Sequence, residues 1–227
     1  VGTGMEPRLS TPVDVRSLLG PQLWRATEQA PIRTASTGFE ALDRLLPGRG
    51  WPIGAVSEIL SVRIGSGEMS LSLPLLARLT QGGSPVALID PPHRPHAPRL
   101  QSSGIQLTQL LVLKPDSIAN GLWSAELLLR AGGSILMWAA GIESAALRRL
   151  QLAAESSDSF ALLIRPEAYA SESTTSALRL RIWREHAVPR VEVLKCRGAR
   201  PAAGKQSTLQ SGHNTAQLLN PGIRPAA

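Results

Sequence analysis

Apolar runs of strand length alternate along this chain with segments whose apolar positions recur at helical spacing. From Ser36 the text STGFEALDRLL places Phe39, Leu42, Leu45 and Leu46 on one helical face behind a Ser/Thr cap. PGRGWPIG then breaks that helix. Residues 56–60 predict a short strand, and residues 69–79 predict a helix that docks its apolar side on a sheet. The same alternation continues with strands at 85–90, 110–113, 134–139 and 160–164 and helices at 97–103, 118–131 and 144–155. In the last helix Leu147, Leu150 and Leu152 are expected inward and Arg148 and Arg149 outward. The strands are continuously apolar and are separated by helices, which predicts an α/β fold with a mostly parallel twisted sheet flanked by helices. Residues 178–183 and 188–195 alternate instead, as an antiparallel hairpin at the sheet edge does.

The ends read differently. Residues 1–23, rich in Pro, Gly, Ser and Thr, predict a flexible arm, with an anchored segment starting at Leu23, Trp24 and Arg25. Residues 201–227 predict a disordered basic tail, because the last thirty positions contain no acid and little periodicity. Between them, residues 24–200 form the expected core domain. A chain of 227 residues, 43% of them hydrophobic, buries one good core and hardly two.

Composition removes several chemistries. Cys196 is the sole cysteine, so no disulfide framework exists within the chain, and His93, His96, His186 and His213 are too scattered for a metal site. No metal or cofactor is therefore expected. No apolar run reaches the roughly 18 residues of a membrane span, and the opening VGTGMEPRLS lacks an apolar signal region. A cytoplasmic protein is expected, with Met5 as a candidate start. The net charge of +7 is concentrated toward the C-terminal third, which suits nucleic acid or an acidic partner.

The candidate chemistry lies in SEILSVRIGSGEMSL, a strand and a Gly-rich turn leading into a helix. A phosphate loop of this outline works because glycines let N–H groups curl around phosphate oxygens while a lysine neutralises them and a Ser or Thr holds magnesium. Gly65, Ser66 and Gly67 can still curl, but Glu68 and Met69 occupy the next two positions and the hydroxyl is displaced to Ser70. A carboxylate about 4 Å from a phosphate oxygen costs about 4 kcal/mol at an effective dielectric of ~20. That corresponds to roughly a thousandfold in affinity. Glu68 is expected either to pair with Arg63 or Arg94 and lock the loop, or to be a solvated acid at the helix N-terminus. The loop PPHRPHAP, with His93 and His96, lacks further ligands and reads as a structural or partner-contact loop.

Over residues 36–201 the chain resembles the RecA core. STGFEALDRLLPGRGWPIGAVSEI is similar to the opening segment of that core, VALIDPPH to its acidic turn, RRLQLAAESSDSFALLIRP to the helix and strand before the second DNA-binding loop, and VEVLKCRGARP to the closing strand. The resemblance implies a RecA-like core from which the catalytic positions are missing: the loop lysine at Glu68, the threonine at Met69, the turn glutamate at Pro92, and the third-strand aspartate at Trp138 or Ala139. That set of losses, with LWR near the start, the PPHxPxAP loop and ALRRLQLAAE, resembles ImuA, a subfamily of small RecA-like proteins. Membership implies a non-catalytic pseudo-ATPase, an accessory of DNA-damage-induced (SOS) translesion synthesis. Its implied partners are ImuB, a polymerase-like protein, and an error-prone alpha-type DNA polymerase, with RecA or a second copy of the chain also in view. A related SulA-like inhibitor of cell division, binding the division GTPase, is the alternative.

The densest basic region comprises Arg179, Arg181, Arg184, Arg190, Lys195 and Arg197, with Arg179 and Arg181 on one strand face. By resemblance, the loop before this hairpin touches single-stranded DNA, while the pair at Lys195 and Arg197 reaches a neighbouring subunit's nucleotide. These six residues are expected to contact nucleic acid or a partner, or to form a solvated basic edge. Tyr169 and Trp183 are the aromatic residues placed to stack on bases, so only weak binding to single-stranded or primed DNA is expected. Trp51, Trp123 and Trp138 are expected to pack in the core, and Trp24 to dock on a neighbouring subunit or on its own domain.

Overall fold

The computed structural model describes residues 33–186, 188–198 and 206–209. The expected arm and the anchored segment at Leu23, Trp24 and Arg25 lie outside these residues. An eight-stranded sheet is built from β3 (Ala55–Ser61), β4 (Val86–Ile89), β5 (Leu110–Leu113), β6 (Ser134–Trp138), β7 (Phe160–Pro166), β8 (Leu178–Glu185), β9 (Val188–Cys196) and β10 (Gln206–Thr208). Their order is β10-β9-β8-β3-β7-β6-β4-β5, with every pairing from β8 to β5 parallel and the β8–β9 and β9–β10 pairings antiparallel. A separate two-stranded antiparallel sheet joins β1 (Thr34–Ala35) to β2 (Trp51–Pro52).

Period-two alternation explains how one sheet serves two cores. Leu88 of β4, Leu136 of β6 and Leu162 of β7 face a core with Leu71, Leu75 and Leu76 of α2 (Glu68–Gln81). Ala87, Ile89, Met137 and Leu163 face the other way, toward α4 (Ile118–Arg130) and α5 (Ser144–Glu155). All seven residues of β3 are buried, as a strand at the centre of a covered parallel sheet requires. Two further helices are short: α1 (Glu40–Asp43) and α3 (Ala97–Ser102).

Polar side chains fix the entry into β3. Asp43 accepts from Ser36 Oγ at 2.6 Å and from the Thr37 N–H at 2.8 Å, so the STG turn is held by its own helix. Gln151 of α5, 5% exposed, accepts from the Val56 N–H at 2.9 Å and donates to the Gly54 carbonyl at 3.3 Å. α5 is thereby clamped to the start of the strand that leads to the candidate site.

Three expectations are corrected. Residues 206–208, assigned to a disordered tail, pair with β9, and Leu209 joins the core at 6% exposure, because one well-placed apolar residue anchors a polar segment. The tail beyond 209 lies outside the described residues. Leu152 and Trp123 point outward at 50% and 65% exposure, each lying opposite the buried stripe of its helix. PGRGWPIG does end the helix, and it also supplies β2, whose Trp51 is fully buried.

Candidate functional site

β3 ends at Ser61 and α2 starts at Glu68, so residues 62–67 form a loop at the C-terminal ends of the parallel strands, where open α/β sheets place their ligands. Ser61 Oγ and Ser66 Oγ both donate to the Arg63 carbonyl, at 2.6 and 2.7 Å, and cinch the loop from inside. Gly65 and Gly67 take left-handed φ values of 84° and 115°, open to glycine because it has no Cβ. This geometry turns their N–H groups toward one anion, the carboxylate of Glu68. Gly65 donates to Oε1 at 2.8 Å and Gly67 to Oε2 at 3.0 Å.

Glu68 is 4% exposed and so not solvated, and among the described residues its carboxylate is held by the Gly65 and Gly67 N–H groups rather than by Arg63 or Arg94. Both sequence expectations for this residue are corrected on that point, although its place at the helix N-terminus stands. The physical reason is local. Two N–H groups without intrahelical partners and a helix N-terminus attract an anion, and the nearest one is a single residue away. Met69 is half-buried against the core and Ser70 is exposed, so neither hydroxyl nor thioether enters the cradle.

Beyond the loop, Asp90 follows β4 with φ 51° and binds Lys114 Nζ at 2.6 Å. Pro92 lies in the same cleft, and Trp138 closes β6 there with its indole Nε1 buried and without a hydrogen-bond partner among the described residues. The cleft between these elements has a volume of about 520 Å³. Ile64, Ile118, Ile164 and Trp138 give it apolar walls. Among the described residues no cluster of three or more His, Cys, Asp or Glu side chains has the geometry of a metal site.

The six basic residues of the hairpin do not form one free surface. Arg179, 4% exposed, lies inside the protein beside Glu58, which is fully buried in β3. Glu58 Oε2 accepts from Arg165 at 3.0 Å and from Arg179 at 3.1 Å, while Oε1 accepts from Ser176 at 2.5 Å and from Thr174. Arg179 also donates to the carbonyls of Tyr169, Ala170 and Glu172, so it pins the segment before β8 to the sheet. Burial alone would raise the Glu58 carboxyl, but the hydrogen bonds from Ser176 and Thr174 and the Arg179 and Arg165 cations outweigh it and hold the group below the usual 4.5.

The other five are engaged as well. Arg181 pairs with Glu167 and, at 3.7 Å, with Glu192. Arg184 Nε donates to the Gly65 carbonyl at 3.0 Å and ties the hairpin to the phosphate-loop turn. Arg190 pairs with Glu185 at 3.0 Å, and Arg197 reaches Glu155 at 3.7 Å. Lys195 donates to the Thr174 carbonyl at 2.6 Å; burial, with Arg179 and Arg197 nearby and Glu58 opposing them, pulls its ammonium below the usual range. The two stacking candidates are covered from within, Tyr169 by Arg165 at 4.4 Å and Trp183 by Arg181 at 5.4 Å. Glu58 escaped the sequence reading, yet one signal marked it: a carboxylate inside a continuously apolar strand demands a buried cation.

A parallel α/β sheet with a Gly-rich strand-to-helix turn at its carboxyl edge defines a phosphate-loop type of domain. The chain belongs to the RecA N-terminal domain family, whose description matches residues 22–164. It is 35% identical over 102 residues to the protein RecA of Azoarcus sp., covering 45% of this chain and 29% of that protein. To the protein RecA of Bacillus mycoides it is 37% identical over 101 residues, 44% of this chain and 29% of that protein. With the protein RecA of Streptomyces venezuelae the match is 31% over 151 residues, 66% of this chain and 39% of that protein. The matches thus span well under half the length of these curated relatives.

Proposed function

We propose that this chain is a non-catalytic RecA-like accessory protein of the ImuA type, acting by protein contact in DNA-damage-induced translesion synthesis. One observation carries the reading: Glu68 places its own carboxylate on the Gly65 and Gly67 N–H groups, where a nucleotide phosphate would have to bind. The pseudo-ATPase needs no cofactor, because the loop is satisfied without one. Pro92 and Trp138 or Ala139, which line the same cleft at the positions the RecA resemblance gives to the turn glutamate and the third-strand aspartate, support the loss of catalysis. No helix among the described residues is long and apolar enough to cross a membrane; the accessory role itself implies work on DNA in the cytoplasm and at the nucleoid after damage.

In this reading the partners are ImuB and an error-prone alpha-type DNA polymerase, and affinity for single-stranded or primed DNA is weak. The internal pairing of Arg179, Arg181, Arg190 and Arg197 supports the weakness, for paired cations release few counterions. The test is affinity purification of the tagged protein from DNA-damaged cells of its host, with mass spectrometry of what co-purifies. Recovery of both polymerase-type partners is expected. Recovery of the division GTPase without them would replace this reading by the SulA-like one.

A further inference from the structure

Two adjoining hollows flank Trp138. One, of about 520 Å³, reaches Ile118, Ile164 and Pro166; the other, of about 260 Å³, reaches Met69, Leu88 and Leu100, and both share Ile64, Glu68, Pro92 and Trp138. Together they make one groove across the carboxyl ends of β3, β4 and β6. Its mouth carries three large aliphatic side chains in the open, Ile64 at 62%, Ile118 at 47% and Val62 at 44% exposure. Exposed aliphatics scattered singly need no explanation, but a contiguous set around a concave apolar floor marks a contact surface.

The rim has one sign of charge. Arg63, Arg94 and Arg99 line the groove or its edge and form no ion pair among the described residues, while Asp90 is neutralised by Lys114 at 2.6 Å. We propose that this groove docks an acidic segment of a partner protein that inserts a large apolar side chain beside Trp138. The inference rests on the adaptor reading above and assigns it a surface.

The other occupants fit less well. A phosphate entering the groove meets the Glu68 carboxylate at its floor, which repels it and already holds the Gly65 and Gly67 N–H groups. A second copy of the chain brings a surface of the same excess sign, since the net charge is +7. An acidic peptide gains from the rim, and its apolar anchor gains from leaving water.

The probe is a phage-displayed random dodecapeptide library panned on the intact chain, with enriched peptides then titrated by fluorescence anisotropy. Enrichment of peptides that combine Asp or Glu with a Leu, Phe or Trp anchor is expected. Ile64→Asp, at a position 62% exposed, should weaken their binding at least tenfold, and Arg94→Glu with Arg99→Glu should weaken it and flatten its salt dependence. No enrichment, peptides lacking acids or anchors, or indifference to Ile64→Asp would each overturn the proposal. So would displacement of the peptides by ATP or oligothymidylate, or self-association that Ile64→Asp abolishes. The two readings fail separately: polymerase partners recovered equally by wild type and Ile64→Asp sink the groove alone, whereas acidic peptides bound without polymerase partners in cells sink only the translesion role.

Discussion

Glu68 carries most of the functional argument at the scale of single residues. Replacing it with lysine restores the charge that a phosphate loop uses, but Pro92 and Trp138 or Ala139 still stand where the RecA resemblance places a glutamate and an aspartate. Glu68→Lys should therefore show no ATP turnover above background in a coupled phosphate-release assay. Glu58 governs stability instead. Removing one partner of a fully buried ion cluster strands the others, so Glu58→Gln should lower unfolding free energy by about 3–5 kcal/mol, read from urea denaturation. The pH dependence has a defined sign. A carboxyl held below 4.5 in the folded state contributes stability that is fully present above that value and is lost as pH falls through the lower folded value. Wild-type stability should thus decline below about pH 4.5, and the Glu58→Gln variant should decline less steeply there. That an acid stands at position 68, where a phosphate loop uses a lysine, was visible in the sequence, because it depends only on which residue occupies the position. The Glu68 bonds were not, because they depend on two left-handed glycines turning their N–H groups inward.

At the scale of elements, every strand of the parallel sheet and the helices that cover it were legible, since continuous apolar runs and 3.6-residue periodicity both come from burial on a known side. What escaped were contacts between distant segments. The two-residue strands β1 and β2 have no periodicity to read, and β10 consists of polar residues whose position is set by β9. The basic hairpin shows the same gap: its alternation was clear, but the acids that pair its cations come from β3, β9, α5 and the segment after β7. β10 gives a direct check. Leu209 anchors it in the core at 6% exposure, so Leu209→Ala should cost about 2 kcal/mol or more, whereas a residue of a disordered tail would cost nothing measurable. Thermal unfolding followed by circular dichroism distinguishes the two.

For the molecule as a whole, the parallel sheet carries a Gly-rich turn at its carboxyl edge, and the Gly65 and Gly67 N–H groups of that turn bind the chain's own Glu68 carboxylate; under the proposed function this is a site that no longer captures a nucleotide. The +7 net charge remains, yet much of it near the hairpin is spent on internal pairs, and the cations without ion pairs among the described residues include those at the apolar groove. Such a distribution suits a scaffold that meets acidic protein surfaces better than one that grips a nucleotide. Isothermal titration of the purified chain with ATP and magnesium tests this most directly. No saturable heat up to millimolar nucleotide is expected, because Glu68 already occupies the Gly65 and Gly67 donors. Saturable binding in the micromolar range would contradict the account.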